Sequence, residues 1–79
     1  KRNFSYEIKI ASFYFEDTAK IMLNRIKTET IITNPKIKKI SDNEYRVYLG
    51  PFDNIDSLKK SYNGISILEF DNIEIIKND

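Results

Sequence analysis

The sequence predicts an α+β domain of element order β-α-β-β-α-β, and three observations predict it. A short segment recurs 39 residues later, two stretches alternate apolar and polar residues, and two others repeat apolar residues at helical spacing. Ile8-Lys9-Ile10-Ala11-Ser12-Phe13 returns as Val47-Tyr48-Leu49-Gly50-Pro51-Phe52. Each copy runs on into an acidic or amidic stretch, Glu16-Asp17 and Asp53-Asn54, and then into a helical pattern. One strand–helix–strand unit needs about 30 residues or more, so this period suits two such units. Residues 1–79 are therefore expected to form one domain of two pseudo-repeats, about 5–41 and 44–79.

The first strand is expected over Ser5 to Ser12, with Tyr6, Ile8 and Ile10 on one face and Glu7, Lys9 and Ala11 on the other. Asp17 suits a helix N-cap, and Ala19, Met22, Leu23 and Ile26 follow as the buried stripe of a helix to about Glu29. Pro35 ends anything helical, because the residue before a proline is pushed to extended backbone. Lys36 to Ser41 reads as a short strand and Asp42-Asn43 as a two-residue turn. In that register Lys39 faces Arg46 and Ile37 faces Tyr48. The clearest alternation is Glu44 to Gly50, where Tyr45, Val47 and Leu49 point one way and Arg46 and Tyr48 the other.

A second helix starts near Asn54 or Asp56, with Ile55, Leu58, Tyr62 and Ile65 as its stripe. Asn63-Gly64 has the composition of a C-cap, but shifting the first helix by the repeat carries the second through Gly64 to Leu68. Asn72 to Lys77 is the last strand, with Ile73 and Ile75 inward. Two such units in one sheet give the ferredoxin-like (RNP-like) arrangement. Its four-stranded antiparallel sheet has the first and third strands central, two helices on one face and nothing on the other. Ile8, Ile10, Leu23, Ile26, Val47, Leu49, Leu58 and Ile75 are the expected core. Phe13 and Phe52, paired by the repeat, are expected to plug the handover from strand to helix.

Composition narrows the chemistry. The chain has no His and no Cys, which excludes the usual zinc ligands, Ser–His and Cys–His nucleophiles, disulfides and iron–sulfur clusters. No cofactor or metal is expected. Glu16, Asp17 and Asp53 stand at helix starts, where they favour the helix dipole, and Glu7 has no carboxylate partner by pattern, so no catalytic pair is expected. Thirteen Lys and Arg against twelve Asp and Glu leave +1, so an anionic ligand must be met by a local patch. No apolar run is long enough to span a bilayer, and no signal peptide is present. The chain begins Lys1-Arg2-Asn3 and reads as a piece of a longer protein that carries any anchor or export signal.

Tyr45-Arg46-Val47-Tyr48-Leu49-Gly50-Pro51-Phe52 resembles the "YRVxxGPF" signature of the sporulation-related repeat (SPOR) domain, and Ile8 to Phe13 resembles that family's "VQxGSF" half. Lys9 stands where the family often has Gln, and Ala11 where it often has Gly. The run through Leu58 is most similar to the domain that ends rare lipoprotein A-type lytic transglycosylases. The resemblance implies a non-enzymatic module of the bacterial periplasm and septum. It would bind peptidoglycan glycan strands stripped of stem peptides, as a monomer, with no membrane contact of its own.

Removing the peptide from muramic acid leaves a lactyl carboxylate, which cations and flat side chains recognise. Lys9 and Arg46 project from adjacent central strands on the uncovered face; they bind that carboxylate or simply solvate the face. Tyr48 offers a ring to a sugar or fills an exposed strand position. Ser12 matches the family's Ser and donates to a sugar hydroxyl or forms a turn. Lys39 joins the face in the register above, or guards a sheet edge. Two rival functions share the fold. An RNA-binding module would stack bases on central-strand aromatics, of which only Tyr48 points outward, so no nucleic acid is expected. A protein-interaction or regulatory module is the other.

Overall fold

The structure is a computed structural model that describes residues 4–77. Lys1, Arg2 and Asn3, on which the reading of an excised piece rests, and the last two residues of the second pseudo-repeat lie outside them. The elements are β1 (Tyr6–Phe13), α1 (Glu16–Glu29), β2 (Lys36–Ser41), β3 (Glu44–Phe52), α2 (Ile55–Ile65) with a 3-10 turn at Ser66–Leu68, and β4 (Glu74–Lys77). They form one antiparallel sheet of order β2-β3-β1-β4, the predicted ferredoxin-like arrangement with β1 and β3 central.

One core joins the sheet to both helices. Ile8, Ile10, Val47 and Leu49 from the central strands meet Ala19 and Ile26 of α1 and Leu58 and Ile65 of α2, with Ile32 from the loop between α1 and β2. Both helices therefore lie on the same side. Two expected core members differ. Leu23 is half-buried on the flank of α1, whose inward stripe is Ala19 and Ile26 with Met22 beside them. Ile75 is 50% exposed although it pairs with fully buried Ile8, because β4 is a four-residue edge and the helices pack over the other three strands. In α2, Ile55 and Tyr62 are likewise exposed, and Leu58 and Ile65 alone hold the stripe.

The helix ends differ from expectation in instructive ways. Phe15, not Asp17, occupies the N-cap position of α1 and makes no side-chain cap, while Glu16 and Asp17 sit in the first turn and favour the dipole. Thr30 ends α1: its hydroxyl donates to the Ile26 carbonyl at 2.7 Å and accepts from the Ile32 N–H at 3.0 Å. Asn54 caps α2 by accepting from the Ser57 N–H at 2.8 Å. The helix runs through Gly64 as the repeat predicts, but its α-helical part ends at Ile65 and the expected stretch to Leu68 is a 3-10 turn. A Cβ there would stand 3.3 Å from the Ile31 side chain and 3.4 Å from that of Ile32, so the glycine lets the α1–β2 loop lie against α2.

The repeat also shows in the pairing. Tyr6 pairs with Phe52 and Phe13 with Tyr45, the same Tyr–Phe match at both ends of the β1–β3 ladder, and all four rings pack against the core. Beside one of them, β3 holds an extra residue at Gly50-Pro51. Gly50 has φ +107°, and a Cβ would come 3.1 Å from the Tyr6 carbonyl oxygen.

Two stability outcomes follow. Leu49→Ala, at a site 1% exposed, removes a side chain at the centre of the core and should cost about 2–5 kcal/mol. Gly50→Ala should cost roughly 1–3 kcal/mol through its left-handed backbone alone. Urea denaturation checks both; a wild-type midpoint in either variant would contradict the packing described.

Candidate functional site

The side of the sheet away from the helices is open, and three local irregularities decide which side chains stand on it. Directly paired residues share a face. Lys9 pairs with Tyr48 and Ile8 with Leu49, but beyond a bulge at Ile10 the register steps so that Ala11 pairs with buried Val47 and Ser12 with Arg46. The bulged strand thus turns Ile10 and Ala11 both toward the helices and returns Ser12 to the open face. Ala11 is not on the open face, as simple alternation predicts, and Ser12 is.

A second bulge corrects β2. The turn at Asp42-Asn43 is in place, yet Ile40 is an extra residue between the Lys39–Tyr45 and Ser41–Glu44 pairs. Lys38, not Lys39, therefore faces Arg46, and Lys36, not Ile37, faces Tyr48. Ile37 pairs with Val47 on the core side. Lys39 sits opposite inward-facing Tyr45 and is bound to Asp42 at 3.6 Å, away from the open face.

Two rows of side chains result. Ser12, Arg46 and Lys38 form one; Glu74, Lys9, Tyr48 and Lys36 form the other. Lys9 is 3.6 Å from Glu74. The Ser12 hydroxyl donates to Glu44 at 3.0 Å. Lys38 reaches across β3, its ammonium 4.5 Å from the centre of the Tyr48 ring, and donates to both Glu7 oxygens at 3.1 and 3.2 Å. Glu7 is only 5% exposed, so this pair satisfies a carboxylate that burial would otherwise leave stranded. It also adds a cation–π contact to Tyr48.

Arg46 stands apart. Its Nε is buried without a hydrogen-bond partner, and no described carboxylate pairs with its guanidinium. A donor left unsatisfied in this way is costly, by about 1–3 kcal/mol. Of the sites read from sequence, Lys9, Ser12, Arg46 and Tyr48 lie together on the open face, whereas Lys39 does not. Alternation puts Glu7 on this face without a partner, and does not put Lys36, Lys38, Glu44 or Glu74 in the site. The alternation Lys36-Ile37-Lys38 carried the missing signal, since an Ile facing water between two inward lysines is the poorer arrangement.

Among the described residues no cluster of carboxylates has the makings of a metal site, and no helix is long and apolar enough to cross a membrane. The chain matches no protein-family model, no curated protein and no solved structure.

The Glu7–Lys38 pair should be strongly coupled. Lys38→Met strands a buried carboxylate and should destabilise the fold by roughly 1–3 kcal/mol, and adding Glu7→Gln should recover much of that loss. A double-mutant cycle in urea measures it; additive losses would show that the two side chains act independently.

Proposed function

We propose that this domain is a non-catalytic module that binds peptidoglycan glycan strands lacking stem peptides and so carries a parent envelope protein to the bacterial division septum. The reading joins the likeness of its two motifs to SPOR signatures with one observation: Arg46 on the open sheet face has a guanidinium that no described carboxylate neutralises. A planar fork of N–H donors suits a lactyl carboxylate, and the neighbouring Ser12 and Tyr48 offer the hydroxyl and ring that a sugar uses. Intact strands lack that carboxylate, because the peptide converts it to an amide. Lys9 contributes less than Arg46, since a ligand must compete with Glu74 for it.

The module is proposed to act as a monomer, without a cofactor and without nucleic acid. Against base stacking stands the aromatic count: Tyr48 is the lone aromatic of the two central rows, too few to stack successive bases.

Calorimetry with a denuded tetrasaccharide tests the proposal. Wild type should bind it and ignore a peptide-substituted strand. Losing a charge-assisted contact is worth about 1.5–3 kcal/mol, so Arg46→Ala should weaken binding by roughly 10- to 100-fold, and Lys9→Ala by less. Equal binding by all three proteins would move the site off the sheet face. Failure of wild type to bind denuded strands or amidase-treated sacculi would end the glycan reading.

A further inference from the structure

We propose that the glycan path continues off the sheet face into a second subsite, a cleft of about 470 Å³ at the end of β3, which takes an acidic sugar of the same strand. This rests on the function proposed above and extends it to a surface of which the sequence motifs mark only the wall from Leu49 to Phe52.

The cleft lies between the α1–β2 loop, the turn that leaves β3, and the exposed side of α2. Its volume falls within the range of roughly 300–1,000 Å³ common for small-molecule sites. The walls are held firmly. Ile31 and Ile32 rest against α2 at Gly64, Thr30 ties the loop to the end of α1, and Asn54 caps the helix that forms the far wall.

The chemistry of the lining is mixed in the way a sugar acid requires. Pro51 and Phe52 supply apolar surface for the C–H face of a ring. Asn34, Ser57 and Ser61 supply amide and hydroxyl groups for its oxygens. Lys36 and Lys60 both line the cleft, and neither has an ion-pair partner among the described residues. The one lining carboxylate, Asp53, accepts from the Asn54 side-chain amide at 3.0 Å, and the balance of the cleft remains positive. A purely apolar ligand would leave these groups unpaired, and a neutral sugar would leave the two ammoniums unused.

Continuity with the sheet face comes from two residues. Lys36 stands opposite Tyr48 in the open-face row and also lines the cleft. Along β3, Arg46, Tyr48 and Gly50 follow one another at two-residue steps, and Gly50 is itself in the cleft wall. Four residues of strand cover about 14 Å, so a glycan laid along β3 from Arg46 reaches the cleft within a few sugar units.

The subsites should be separable by ligand length. Denuded disaccharide, tetrasaccharide and hexasaccharide are titrated calorimetrically into the whole chain as wild type, Lys60→Glu and Arg46→Ala. Lys60 is exposed on α2 and outside the core, so its reversal leaves the fold intact. Lys60→Glu should weaken hexasaccharide about tenfold and leave the disaccharide unchanged, whereas Arg46→Ala should weaken every length. Amide NMR signals of Asn34, Gly50 and Ser57 should move with hexasaccharide and stay still with disaccharide. If Lys60→Glu matches wild type at every length while Arg46→Ala is weakened, the cleft is not a subsite and the sheet-face reading stands. If wild type binds no length, both fall.

Discussion

The pairing of β1 with β3 governs this molecule, and the extra residue at Ile10 governs that pairing. Strand side chains alternate strictly, so a strand that serves the core at one end must serve it at the other or change step between. β1 changes step. With Ile10 bulged, Ile8, Ile10, Ala11 and Phe13 all serve the helix side, and Glu7, Lys9 and Ser12 all serve the open side. Without the bulge, Ser12 would turn a hydroxyl toward the core and Phe13 would turn a ring to water. The bulge thus sets the open face and delivers Phe13 onto Tyr45 just before α1 begins.

The same economy of irregularity appears on β2 and β3. Ile40 slips β2 by one, so that Ile37 turns inward and Lys36 and Lys38 turn outward. Gly50-Pro51 adds a residue to β3, which brings Phe52 back over Tyr6. Together the three departures place four cations and three carboxylates on one sheet face of a chain whose net charge is only +1. Pairing then sorts them. Glu7 is buried and needs Lys38; Glu74 holds Lys9; Glu44 accepts from Ser12; Arg46 and Lys36 are left over. Local positive potential arises from which partners are already engaged, not from an excess of lysine and arginine.

Much of this was legible from residues in order. The helical stripes marked α1 and α2, and the 39-residue repeat carried α2 through Gly64 where local composition favoured a stop. The repeat outweighed the Asn-Gly signal because tertiary packing against Ile31 and Ile32, which composition cannot display, is what the glycine serves. Facing was harder. Counting by twos assumes no bulge, and each bulge reverses every assignment beyond it. Such counting therefore places Lys39 on the open face and Lys38 off it, although the inward need of Ile37 points the other way. Alternation assigns Ile75 to the core and is itself correct, since Ile75 does share a face with Ile8; the edge position of β4 is what leaves it wet.

The distribution of engaged and free charge bears on what kind of anion the face suits. A nucleic acid presents a phosphate at every nucleotide, and a dense row of charge laid along β3 would meet Glu7, Glu44 and Glu74 as well as the cations. Each of those carboxylates opposes it, and one of them cannot move because it is buried. A denuded glycan presents one carboxylate at every second sugar, with neutral hydroxylated rings between. Its sparse charge can meet Arg46 and Lys36, which lie in adjacent rows, while the rings pass over Ser12 and beside Tyr48. On the proposed reading, Glu7 and Glu74 therefore add selectivity: they occupy the cations that would otherwise make the face attractive to any polyanion, and they leave free those that match a widely spaced one.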